Sequence, residues 1–194
     1  MPFDIAHLSA KAQHVLSIDA ATAYRELVPT REGSAEARDI LESIKPVEVV
    51  ASMPADLDAA KATLSGLWLW HDFLDASHTL SQSIETPTGS FWHGVMHRRE
   101  GDFGNAKYWY RRCPNHPAYA SIAAKADTVI KPAPADKLLL KLTINGWDPF
   151  AFVDAVEALH DKPESDERRK VIVELQRIEW QTLMEFSSRA ATGK

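Results

Sequence analysis

His71, Asp75, His78 and Gln82 follow one another at intervals of four, three and four residues, and this periodicity constrains the chain more than any other feature. On an α-helix that spacing places all four side chains on one face. Followed backwards, the same phase meets Leu67, Leu64, Ala60 and Leu57, so the polar residues continue a stripe that should face a core. Polar groups on such a stripe are costly unless each finds a partner. The pattern is helical rather than alternating from about Pro54 to about Ser83, and Thr86-Pro87-Thr88-Gly89 then breaks it. A second helix is expected over Gly89–Glu100, where His93, His97 and Glu100 again share a face. The short connection makes the two helices antiparallel neighbours, a central hairpin over about 54–100. His78 then stands level with His93, Asp75 with His97 and His71 with Glu100, their position sums agreeing within one.

The rest of the chain reads as further helices. Ser9 and Asp19 suit the N-caps of two short helices, ending near Ser17 and before Pro29, and Ser34 suits a third over Ala35–Ile44. Val47–Val50 is β-branched, but no second strand signal answers it. Asp102 should cap a helix over Phe103–Arg112, followed by a turn at Cys113–Pro117 and a helix over Ala118–Ile130. Lys131–Pro134 reads as a linker and Ala135–Thr143 as a short helix. Asp148-Pro149 starts a helix to His160, and a last helix begins at Pro163 or Ser165 with a stripe of Val171, Leu175, Ile178, Leu183 and Phe186. The expectation is an all-α, single-domain bundle over 1–194, with seven or eight helices around the central pair.

Composition narrows the function classes. A net charge of −5 argues against a general nucleic-acid binder. A single cysteine, Cys113, excludes an internal disulfide and a cysteine-based zinc knuckle. Two arginines precede it, but no partner base is evident, so an ordinary thiol is expected. No secretory signal or membrane-length apolar run is visible, and a cytoplasmic protein without membrane association is the expectation. Nothing in the sequence speaks to the oligomeric state.

Four of the eight histidines and three of the six tryptophans fall between Trp68 and Glu100, so the central hairpin is where a site is sought. The leading reading is a site that binds a small polar or anionic molecule, with hydrolysis of that molecule as its candidate chemistry. Trp92, His93, Arg98, Tyr108 and Arg111 would contact the ligand, because arginines fork around carboxylate or phosphate and aromatic rings line pockets. His78, His97 and Asp75 would be the proton-transfer group, a carboxylate holding an imidazole in one tautomer. The alternative is a divalent metal and a metal-dependent hydrolase, with ligands drawn from His71, Asp75, His78, His93, His97 and Glu100. Gly94 stands where a zincin motif would need glutamate. The third reading is a satisfied polar network in a structural or partner-binding protein. The pairing itself predicts that His71, Asp75 and His78 are buried and that Asp75 approaches His97.

The block Ser90-Phe-Trp-His-Gly-Val-Met-His-Arg-Arg-Glu-Gly-Asp-Phe-Gly-Asn-Ala-Lys-Tyr-Trp-Tyr-Arg-Arg112, followed by His116-Pro117, resembles a group of uncharacterised bacterial all-helical proteins. These carry a Trp-His-Gly-x-Met-His-Arg-Arg-Glu block ahead of an Asn-Ala-Lys-Tyr-Trp block. The resemblance implies a helical fold and brings no activity, so the three readings stay open.

Overall fold

Short polar side chains set most of the helix starts. In a computed structural model that describes residues 4–131 and 136–193, Ser9 and Ser34 each accept a first-turn backbone N–H and open α1 (Ala10–Ser17) and α2 (Ala35–Glu42). Asp56 does the same for α3 (Leu57–Trp70), and α4 (Leu74–Ser81) follows without a capping side chain. Thr86, with Pro87 at the first helical position, opens α5 (Pro87–Glu100), and Asp102 opens α6 (Phe103–Tyr110). Then come α7 (Ala118–Ile130), the single turn α8 (Lys137–Leu140), α9 (Pro149–Leu159) and α10 (Glu167–Thr192), the last three capped by Asp136, Asp148 and Asp166. The fold is all-α, with ten helices among the described residues rather than seven or eight. No strand occurs there, and Val50 makes only an isolated bridge to Leu8.

Several expectations need correction. Asp19 caps no helix: residues 18–24 form turns, and Asp19 itself has a φ of 50°. The helix expected over Ala135–Thr143 shrinks to α8, and the Lys131–Pro134 linker falls outside the described residues from 132 onward. The largest correction concerns the helix expected from Pro54 to Ser83, which ends at Trp70 and restarts at Leu74.

The physical reason is a complete C-terminal capping motif built without glycine. The N–H of Phe73 donates to the carbonyl of Trp68 (3.1 Å) and that of Asp72 to Leu69 (3.1 Å), the two bonds of a Schellman motif. The apolar contact that accompanies such a motif is present as well, with the rings of Trp68 and Phe73 edge-on at 5.5 Å. The residue between them must take the left-handed conformation, and Asp72 does so at a φ of 60°. At the end of α5 the same motif uses Gly101, at a φ of 88°, with Asp102 N–H donating to His97 (2.9 Å). Glycine announces the second break in the sequence. Aspartate hides the first.

α5 lies at the centre, with residues 89–99 buried on every side. It packs against α3, α4 and α6, while α10 runs across α3, α7 and α9. Gly66 permits the closest approach: a Cβ there would lie 2.7 Å from both Trp92 and Met184, and its carbonyl accepts the indole N–H of Trp180 (2.8 Å). Trp92 is core, fully buried and donating to Ser187 Oγ (3.0 Å).

Asp72 also holds the buried guanidinium of Arg99 in an ion pair. Replacing Asp72 with glycine removes a backbone strain of about 1 kcal/mol but leaves a buried cation without its carboxylate, a loss of about 3 kcal/mol or more. Asp72→Gly is therefore expected to lower the urea unfolding free energy by about 2 kcal/mol, whereas at Gly101 the same motif already has its preferred residue. An unchanged or raised midpoint would show that the ion pair is not what holds the break.

Candidate metal centre

The break rotates α4 away from the phase of α3 and redistributes the polar stripe. His71 caps the end of α3, is buried, and donates from Nε2 to the carbonyl of Val15 (2.9 Å). Burial lowers its pKa, so it stays neutral. Asp75 is exposed, and His78 is half-buried. Of the three residues expected to be buried, His71 is, His78 is in part, and Asp75 is not. Asp75 makes no hydrogen bond or ion pair to His97 among the described residues; the partner of His97 is Glu100. His71 and Glu100 are not paired either. At that level of the hairpin Asp72 meets Arg99, with the same position sum as His78 and His93. The register is thus as expected, and the break changes which side chain presents itself there.

Three imidazoles do come together. The ring centroid of His78 lies 4.6 Å from that of His93 and 5.3 Å from that of His97, and His93 and His97 are 4.7 Å apart. One ring nitrogen from each falls within 4.8 Å of the others. The helices dictate this: His93 and His97 are one turn apart on α5, and α4 runs alongside with His78 at the same height.

Hydrogen bonds decide which nitrogens carry protons. Ser81 Oγ gives its hydrogen to the carbonyl of Ser77 (2.8 Å), so at 3.0 Å from His93 Nδ1 it acts as acceptor. With the serine hydrogen on that carbonyl, His93 donates from Nδ1 and keeps its lone pair on Nε2. His97 donates from Nδ1 to Glu100 Oε2 (2.9 Å), and its Nε2 lone pair accepts from the amide of Asn105 (3.0 Å). Trp109 lies against His93 at 4.0 Å between centroids. Burial, followed by the neighbouring His97 and His78, pushes the pKa of His93 down to about 3. The triad gathers three ring nitrogens, with a serine and a carboxylate fixing two of the rings from behind. That is the arrangement in which metal-binding histidines are usually held. Glu100, 52% exposed at its side chain, opens the cluster to solvent.

The arginines are placed differently from expectation. Arg98 is fully buried, ion-paired to the fully buried Glu179 of α10, bonded to Tyr110 Oη (2.9 Å) and stacked over Phe152 at 4.5 Å. Arg99 donates to the carbonyl of Glu26 (2.9 Å) and lies 3.9 Å from the centre of the Tyr24 ring. Neither side chain is free for a ligand. Tyr108 and Arg111 are exposed and stack on each other, at 5.9 Å. With Trp92 in the core, the ligand-contacting set of the anion-binding reading does not converge on one place. Cys113 is buried, and its thiol is pushed up to about 11, as suits an inert residue.

Sequence reasoning placed Trp109 among the aromatic residues that could line a pocket, and missed Ser81, Asn105, the ion-pair role of Asp72, and Glu179. Only Glu179 carried a signal: it follows Leu175 by four and precedes Leu183 by four, on the apolar stripe of α10. No protein-family model, curated protein or solved structure matches this chain. Among the described residues, no helix is long and apolar enough to cross a membrane.

His116 resembles the triad in its electrostatics but not in its surroundings. It is 3% exposed, ringed by Phe91, Tyr119 and Phe186, and bonded to Thr88 and the N–H of Ala118. Burial pushes its pKa down to about 4. Both His93 and His116 have folded values below the unfolded value of about 6.5. Below that pH the unfolded chain binds protons that the native one refuses, so stability is full above about pH 6.5 and falls as pH drops towards about 4. The metal-free protein should have a lower urea midpoint at pH 5 than at pH 7.5, and His116→Gln should narrow that difference. Equal pH dependence in the variant would contradict a neutral, buried His116.

Proposed function

We propose that His78, His93 and His97 bind a divalent transition-metal ion and that the protein is a metal-binding protein with an open coordination position. One observation carries this reading: three imidazoles from two helices bring a nitrogen each within 4.8 Å, and two of the rings are held through Nδ1, by Ser81 and Glu100, with the Nε2 lone pair of His97 resting on the Asn105 amide. A tetrahedral ion with nitrogen ligands at about 2.1 Å needs those nitrogens about 3.4 Å apart, a closure that imidazole rotation and displacement of the Asn105 amide would supply. Neutral imidazoles suit zinc, copper, nickel or iron rather than magnesium or calcium. Three protein ligands leave a position for water or a small polar molecule, and a metal-bound water is a nucleophile at neutral pH. Hydrolysis of a small polar substrate is the activity such a centre would offer. Glu100, bonded to the far nitrogen of His97, acts as a positioning residue.

The metal-free anion site has less support, because Arg98 and Arg99 spend their hydrogen bonds on internal partners. A purely structural network remains the competing reading, since Ser81, Glu100 and Asn105 already satisfy two of the rings. Titrating tag-free protein with Co(II) separates the two. The expected result is one equivalent bound, with visible absorption bands of a tetrahedral nitrogen-rich site. Binding should fall at least about 100-fold in His93→Ala and roughly 10-fold in Glu100→Gln. Substoichiometric binding, or binding indifferent to His93→Ala, would leave the network as structure alone.

A further inference from the structure

α5 has α4 on one side and α6 on the other, and the face between them carries His93 and His97. Ser90 lies on that face too, because positions 90, 93 and 97 follow the i, i+3, i+7 spacing of one helix face. α6 returns antiparallel to α5 in a register that two contacts fix, Trp109 against His93 and Asn105 against His97. Arg112 N–H donates to the carbonyl of Trp109 (2.9 Å), which carries the helical turn past the end of α6. The same position sum then sets Arg112 level with Ser90. The two residues mark a point one turn beyond the triad, about 5 Å along α5 from His93.

The donors there are unspent. The guanidinium of Arg112 lies 5.2 Å over the ring of Trp109 and makes no hydrogen bond or ion pair among the described residues. Stacking leaves its fork of N–H groups free for a carboxylate. Ser90 is 5% exposed, yet its hydroxyl has no partner among the described residues and is open to solvent. Trp109, half-buried and in contact with both His93 and Arg112, has an indole N–H that is likewise unpaired and open. These groups differ from Arg98 and Arg99, whose hydrogen bonds are used inside the fold.

Charge is polarised along this face. The carboxylates on α4, on α5 and at the α6 cap are those of Asp75, Glu100 and Asp102, all at the opposite end of the triad from Arg112. Glu85, in the connection between α4 and α5, makes no ion pair with Arg112 among the described residues. The end at Ser90 therefore favours an anion.

We propose that Ser90 and Arg112 form a carboxylate subsite beside the histidine triad. The molecule admitted to the metal's open position is then a small carboxylate. An ion between the levels of His93 and His97 lies about 5–10 Å along the axis from Ser90, so the carboxylate stands about three or four bonds from the atom that meets the metal. Trp109 forms the wall along which the intervening carbons lie. As a statement about substrate this rests on the metal-binding reading. The subsite itself does not, because neither Ser90 nor Arg112 is a metal ligand.

Co(II)-loaded full chain titrated with 3-mercaptopropanoate and with its neutral methyl ester tests the assignment, read by the thiolate-to-Co(II) charge-transfer absorption and with Co(II) saturation checked for every variant. The acid should bind at least about tenfold more tightly than the ester, on the scale of charge-assisted hydrogen bonds. Arg112→Gln should bring the acid down to the affinity of the ester, and Ser90→Ala should cost the acid roughly fivefold. Equal affinity for acid and ester, or a preference that persists in Arg112→Gln, would overturn the subsite while leaving the metal centre standing. If the protein takes up no Co(II), the metal-binding reading falls, and the metal-free chain decides the subsite alone. Five of the six tryptophans are buried, so quenching of the fluorescence by an external solute reports on Trp109. Iodide should quench with a saturable component that is lost in Arg112→Gln, whereas quenching by neutral acrylamide should be the same in both proteins. Iodide quenching without that component, or unaltered by the substitution, would overturn the proposal.

Discussion

Two adjacent arginines with fully buried side chains organise this molecule. Arg98 and Arg99 sit on the central helix, and each must find a carboxylate or carry the cost of an unpaired charge in the interior. They find different ones: Glu179 on α10, and Asp72 at the break between α3 and α4. Successive residues on a helix point about 100° apart. His97, Arg98 and Arg99 therefore address three different neighbours, and the two ion pairs fix the rotation of α5 from two directions. With that rotation set, His93 and His97 face α4 and α6, where His78, Ser81 and Asn105 meet them. The histidine cluster is a consequence of where the arginines are anchored.

Satisfaction around these charges is incomplete. Glu179 Oε1, the Nε atoms of Arg98 and Arg99, Tyr24 Oη, Gln176 Oε1 and the indole N–H of Trp70 are buried without a partner. These groups are linked through direct contacts: Arg99 lies over Tyr24, Tyr24 stacks on Trp70, and Arg99 and Gln176 share the Glu26 carbonyl. Buried polar groups are normally paired by protein or by ordered water. Asp19, Tyr24 and Asp72, the three residues other than glycine with positive φ among those described, all lie in this region. Backbone strain of this kind persists only where the surroundings over-determine it, and it concentrates at functional sites.

Capping chemistry made much of the fold readable in advance. Ser9, Ser34, Asp102 and Asp148 open helices where their sequence context placed them, and Ala118–Ile130 is a helix from end to end. The failures on the polar stripe of the central hairpin have one physical origin. Asp72 takes a left-handed conformation that glycine would have advertised, and the capping bonds of Trp68, Leu69 and Phe73 that impose it depend on how α3 packs. A helical phase carried through position 72 then misassigned Asp75, which is exposed, and His71, which turns to Val15. His78 and His93 came together nonetheless, because hairpin register depends on connection length and not on the phase of α3.

The sequence by itself determined that the chain is helical, where most helices start, and that α4 and α5 pair in one register, because caps, turn residues and a short connection act locally. It also determined that histidines would crowd that hairpin. Only the tertiary structure decided that Arg98 and Arg99 are internal charges rather than ligand-binding ones. Their carboxylate partners come from Glu179, 81 positions along the chain, and from Asp72, 27 positions back. The buried environment that makes those pairs necessary exists only once α3, α5 and α10 have packed together, and no local pattern around either arginine encodes it.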